Sequence, residues 1–306
     1  MLFKSFIRIK FFLLLLPILT LTQPVFPQQP GYLEGNEVII VFDYQLKKVA
    51  DRIQKFYPQI RLEIKDKIGW ELSYKPRIIL FKDGTAFQRA VNNPYIIAYA
   101  LPASELMVID NSKMNINPFK LETTIKHELC HLILHDHIET VNLPRWLDEG
   151  IAQWVCGGID EVIFRERGSL LDSAVLSGRL IPLRTLQANF PRDKNSLLLA
   201  YEQSKDIVEY IIKKHREQGL QNLLKRLKNG HPIEEAIKDE FSISFPDFEA
   251  EWRNHLHKQT IWLSYFINHL YELLFILGGI LLCFGFIRVW LKKRSLKDEY
   301  WDDLGD

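Results

Sequence analysis

Residues 123–153 read TTIKHELCHLILHDHIETVNLPRWLDEGIAQ, and two short strings inside them decide how the chain is read. His127-Glu128-Leu129-Cys130-His131 is the pattern H-E-x-x-H, inside a stretch whose apolar spacing predicts a helix over Phe119–His135. Residues four apart lie on one helical face, so both imidazoles reach one ion while Glu128 projects beside them. At the histidine and glutamate frequencies of this chain, such a match arises by chance in about one chain in fifty. The bland alternative is a helix with two surface histidines, so the surroundings must carry part of the weight.

A catalytic zinc takes three protein ligands and keeps one position open for water. Two residues offer themselves as the third ligand. His137 lies six positions after His131, where the pattern H-E-x-x-H-x-x-G-x-x-H ends. That pattern needs glycine at the turn, and position 134 is Leu. It also needs a later methionine turn, and Met1, Met107 and Met114 all precede the motif. The other candidate is Glu149, eighteen positions after His131, in Arg145-Trp146-Leu147-Asp148-Glu149-Gly150-Ile151-Ala152. Pro144 suits the start of a second helix over Arg145–Cys156. Eighteen residues suffice to end the first helix, turn back through His137–Leu143 and bring Glu149 against the histidine face.

HELCH together with WLDEGIA resembles the gluzincin, peptidase MA-like zinc metallopeptidases, and the second string is closest to the aminopeptidase N-like WL-x-EG-x-A pattern. The resemblance covers roughly Glu37–Leu256, with its specific part at Thr123–Gln153. It implies Zn²⁺ as cofactor, held by His127, His131 and Glu149, and hydrolysis of peptide bonds in a peptide or protein substrate. Glu128 would be the general base that takes the water proton and hands it to the leaving amine. Members of the family place a tyrosine or histidine on a later helix to donate to the oxyanion. Tyr201, in the segment Leu199–Ser204, resembles that tyrosine in order and spacing; its alternative role is aromatic packing at a helix start. The resemblance also places substrate backbone along the strand Ile96–Leu101, by strand addition.

Departures from the family pattern matter too. A thermolysin-type E-x-x-x-D does not carry over, because position 153 is Gln, which leaves open the group that orients the histidines. No G-x-M-E-N-like string precedes the motif to hold a substrate amine, so an endopeptidase is expected rather than an aminopeptidase. Two other functions suit the same residues: a zinc-binding interaction module without turnover, and a zinc hydrolase acting on a non-peptide substrate. An intact Glu128 argues against the first. His135, one turn past His131, either packs or touches substrate, and Cys130 reads as a small core residue with no bridge to Cys156 expected.

Outward from the motif, residues 31–260 form the working domain. Strands are expected at Val38–Phe42, Arg77–Phe81, Ile96–Leu101 and Leu106–Ile109, with helices at Tyr44–Tyr57 and Ala86–Val91. After Pro118 the pattern stays helical, with further helices over Leu197–His215, Asn222–Leu227, Ile233–Glu240 and Phe245–His255. The expected class is α+β, a small N-terminal sheet followed by a helical subdomain, as in the thermolysin-like gluzincin core. The chain has 306 residues, 25% of them charged, and a formal net charge of +1, which excludes wholesale disorder and argues against nucleic acid as partner. Three cysteines are too few for a disulfide-framed scaffold.

The two ends are apolar. Residues 1–30 carry Lys4, Arg8 and Lys10, then the run Phe11–Leu16 and a Gln/Pro exit, the layout of a signal peptide or signal anchor. Leu270–Leu291 gives a helix of about 33 Å, enough for a bilayer core of about 30 Å, and predicts one C-terminal transmembrane helix. Lys292, Lys293, Arg294 and Lys297 follow it, so the positive-inside rule makes residues 292–306 a cytoplasmic tail. The expectation is a single-pass membrane protein with an exported catalytic domain, acting on membrane-proximal substrates.

Overall fold

The computed structural model describes residues 30–91, 96–114, 116, 120–157, 170–268 and 274–289. Five strands form one sheet: β1 (Gly31–Glu34), β2 (Ile39–Phe42), β3 (Arg77–Phe81), β4 (Ala98–Leu101) and β5 (Leu106–Asp110), in the order β1-β2-β3-β5-β4. The three inner strands run parallel, and β1 and β4 pair antiparallel at the two edges. β1 goes beyond the expected strands; its Gly-Tyr-Leu-Glu text carries little strand signal, and pairing with β2 is what makes it one.

Helix α1 (Lys47–Ile68) links β2 to β3 and continues well past the expected end at Tyr57. Pro58 removes a backbone donor, at a cost of about 3 kcal/mol inside a helix. Beyond it, Ile60, Ile64 and Ile68 continue the buried stripe begun by Ala50, Ile53 and Tyr57. Three buried isoleucines at about 2 kcal/mol each outweigh one lost bond. Gly69, at φ 80°, then ends the helix with its N–H on Lys65 O. The short helix α2 (Gly84–Val91) packs on β3 and β5 through the buried Phe87.

The helical half begins with α3 (Leu121–His137), buried almost all round by Leu121, Ile125, Leu129, Leu132 and Ile133. Helix α4 (Arg145–Cys156) packs against it, stopped by Gly157 in the left-handed conformation at φ 72°. Next come α5 (Leu170–Leu176), the long α6 (Lys194–Lys228), α7 (Ile233–Phe241) and α8 (Phe245–Asn268). Asp193 caps α6, its Oδ1 accepting from Ser196 N at 3.0 Å. The expected helices at 197–215 and 222–227 both lie within α6, which is two helical segments meeting at a kink at Arg216, with φ 61° and ψ 177°. Helix α4 lies between α3 and α6, and Gly150 makes that possible: a Cβ there would sit 2.2 Å from Ser204 O. The Gln203 side chain fastens a covering loop, donating to Ile181 O and accepting from Ile181 N, both at 2.9 Å.

The α+β arrangement of a small sheet followed by a helical subdomain matches the expectation, but the transmembrane helix does not. Among the described residues no helix is long and apolar enough to cross a membrane. Residues 274–289 are helical and are the described part of that run. Residues 270–273, 290 and 291 of the expected span lie outside the described residues. The single-pass localisation, with its exported domain and cytoplasmic tail, depended on that span and is corrected with it. Residues 1–29 of the expected signal segment 1–30, and all of the expected tail 292–306, lie outside the described residues.

Candidate metal centre

Helix α3 presents His127 and His131 on one face, their Nε2 atoms 3.1 Å apart and their rings edge to face. Helix α4 brings Glu149 to the same point: Oε2 lies 3.8 Å from His127 Nε2 and 3.7 Å from His131 Nε2. These three residues form the one such group of candidate ligands among the described residues. A tetrahedral zinc with bonds of about 2.0–2.1 Å spaces its donors about 3.4 Å apart, which the observed separations bracket. Two imidazoles and one carboxylate, turned inward and mostly buried, therefore fit a zinc ion in both number and chemistry.

The histidines are oriented from behind. Asp148 Oδ1 lies 2.7 Å from His131 Nδ1, and its Oδ2 lies 3.2 Å from His135 Nε2, whose Nδ1 meets Thr140 Oγ1 at 3.2 Å. Asp148 is the functional residue that sequence reasoning missed, and its signal was a carboxylate directly before the ligand candidate in the same string. His135 therefore belongs to the support of the site. Nδ1 of His127 is buried without a hydrogen bond, and the polar group beside it is the Cys156 thiol, whose Sγ also meets Thr123 O at 3.5 Å. Cys130 is a buried core residue, and it and Cys156 are free thiols, as expected. His137 turns elsewhere, with Nε2 2.8 Å from Glu71 O and its ring against Trp70.

Glu128 is buried next to the histidines, and the Ala100 backbone on β4 hydrogen-bonds its carboxylate. Burial raises its pKa, while His127 and His131 pull it back. The same burial pushes His131 down, yet Asp148 and Glu149 more than compensate and bring it to about 8. Burial likewise opposes the charge of Asp148, which His131 and His135 nevertheless hold well below the usual carboxylate range. Glu149 is depressed despite its burial, by His127 and His131. Tyr201, in the third turn of α6, faces the same cluster: Glu149 first, and burial second, raise its hydroxyl pKa. Arg145 opposes that rise, and its Nη2 lies 3.8 Å from Glu149 Oε1. The five residues singled out by sequence thus meet in one place.

The sequence matches the Peptidase MA superfamily over residues 62–258. No curated protein matches it significantly. Among solved structures, Legionella pneumophila aminopeptidase A in complex with aspartic acid aligns at 13% identity and TM-score 0.44, over 73% of this chain and 27% of that one. A mutant of the M1 zinc metallopeptidase of Deinococcus radiodurans aligns at 13% identity and TM-score 0.42, over 74% and 49%. Native yeast LTA4 hydrolase aligns at 11% identity and TM-score 0.43, over 75% and 38%. The chain thus spans less than half of each of these proteins, and at such scores the likenesses carry no argument of their own.

Proposed function

The chain belongs to the peptidase MA superfamily, and on that footing we propose that it is a zinc metallopeptidase that cleaves peptide bonds by water attack. One observation carries the reading: His127, His131 and Glu149 turn three donor atoms to one point, with the non-ligand carboxylate of Glu128 beside them. Zinc held there would polarise the scissile carbonyl and lower the pKa of water towards about 7.

The remaining chemistry belongs to the side chains. Glu128 takes the proton of the attacking water and passes it to the leaving amine. The hydrogen bond from Ala100 keeps that carboxylate facing β4. Among the described strands β4 lies at the sheet edge, which suits pairing with the backbone of an extended substrate. Tyr201 donates its hydroxyl to the developing oxyanion, a use supported by its place beside Glu149 and Arg145. An extended substrate lying along an edge strand suits internal cleavage, and the preferred form is an endopeptidase.

The test is a diverse peptide library given to the zinc-loaded full chain and to its Glu128→Gln variant. Cleavage by the wild type alone, with zinc bound to both, is the expected result. Cleavage by both proteins would remove Glu128 as the base. Zinc binding without cleavage by either would favour an interaction module or a non-peptide substrate.

A further inference from the structure

Arg145 is the first residue of α4, where a helix dipole favours an anion over a cation. Its charge partner four residues on is Glu149, and a cation placed N-terminal to its acid is the weaker order on a helix. Local helix chemistry therefore speaks against arginine at this position, and such conflicts concentrate at functional sites.

Tertiary contacts give it a purpose. Its guanidinium lies over the Phe190 ring, Cζ 4.9 Å from the centroid, and Phe190 meets Tyr201 edge to face at 5.2 Å. Nη2 stands 3.8 Å from Glu149 Oε1, the oxygen turned away from the histidines, which both face Oε2. Tyr201 thus packs on the same ring that the guanidinium covers. The backbone is fixed as well: Arg145 N donates to Gln187 O at 2.8 Å and Trp146 N to Leu186 O at 3.1 Å. The segment that carries Phe190 is thereby docked on the start of α4.

We infer that Arg145 is a positioning residue of the metal centre, holding Glu149 with one oxygen towards the histidines and the Tyr201 hydroxyl beside that carboxylate. Loss of the guanidinium frees Glu149 to rotate and Tyr201 to swing with Phe190. The kinetic half of this inference rests on the peptidase reading; the metal-binding half does not.

The test compares the full chain as wild type, Arg145→Gln and Arg145→Lys, by zinc titration against a chelating indicator and by kcat and KM on a peptide the wild type cleaves. Arg145→Gln should weaken zinc binding about tenfold and lower kcat about 10–100-fold, with KM within about twofold. Arg145→Lys should recover part of both, because it restores the charge but not the planar fork. Wild-type zinc affinity and kcat in Arg145→Gln overturn the inference. A loss confined to KM also overturns it, since Arg145 would then be touching substrate. If Arg145→Gln does not fold, Arg145→Lys decides: a reduced kcat at unchanged KM supports the role and wild-type values overturn it. If the wild type cleaves no peptide, the peptidase reading fails and the zinc affinities alone decide the role of Arg145.

Discussion

Asp148 Oδ1 lies 2.7 Å from Nδ1 of His131, the ring nitrogen opposite the one that faces His127 and Glu149. A carboxylate in that place fixes the ring orientation and makes the far nitrogen a better donor to a metal. Its second oxygen is occupied by His135 at 3.2 Å, so the carboxylate is held at both ends. Asp148→Asn should therefore weaken zinc binding about 10–100-fold while leaving the fold intact. Chelator competition measures the first and thermal melting the second. Unchanged zinc affinity would show that His131 needs no such support.

Tyr201 offers a separate test, because it would supply a hydroxyl donor and not a metal ligand. Tyr201→Phe keeps the edge-to-face packing on Phe190 and removes only the hydroxyl. Losing one oxyanion donor costs about 10²–10³-fold in kcat. Zinc content and KM should stay at wild-type values. A variant with full kcat would return Tyr201 to a packing role against Phe190.

Gly150 gives the WLDEG string its last letter for a packing reason. In Gly150→Ala the new methyl would meet Ser204 O at 2.2 Å and Val208 Cγ2 at 2.8 Å. A backbone carbonyl cannot step aside, so α4 and α6 must part. Overpacking of this kind costs about 3 kcal/mol, against about 1 kcal/mol gained in helix propensity. Thermal or denaturant unfolding should show the net loss, and activity should fall with it, since Tyr201 rides on α6 and Glu149 on α4. A variant as stable as the wild type would mean the two helices are not in contact there.

What could be read in the sequence and what could not divides along physical lines. The HELCH face is legible because i and i+4 lie together on any α-helix, whatever packs around it. Glu149 was reached through a family resemblance, and its approach to the histidines depends on how α4 crosses α3. Asp148 stayed hidden for the same reason: adjacent residues point about 100° apart on a helix, so periodicity alone cannot send both towards α3. The continuation of α1 through Pro58 was not legible locally, because a proline opposes helix and the three buried isoleucines beyond it outweigh it only in the packed fold. The apolar run near the C-terminus was read from its length and flanking charges, and among the described residues no helix is long and apolar enough to cross a membrane.

Asp206 predicts how stability depends on pH away from the metal centre. It sits on α6 and accepts a hydrogen bond from Trp252 Nε1 on α8 at 2.6 Å. Burial raises its pKa from an ordinary 3.8 to about 6; Trp252 opposes the rise, Glu209 and Asp172 add to it, and Lys213 lowers it. A carboxyl raised in the folded state binds its proton more tightly there than in the unfolded chain. Its contribution is therefore full below about pH 4 and is lost as pH rises towards about 6, amounting to about 3 kcal/mol. Asp206→Asn keeps an acceptor for Trp252 and carries no charge. Its stability should match the wild type near pH 4 and exceed it by up to about 3 kcal/mol at pH 7. Denaturant unfolding of both proteins across that range tests this, because all other titrating groups are common to the pair. Parallel stability curves would mean that Asp206 titrates normally and that its surroundings are wetter than the packing of α6 against α8 implies.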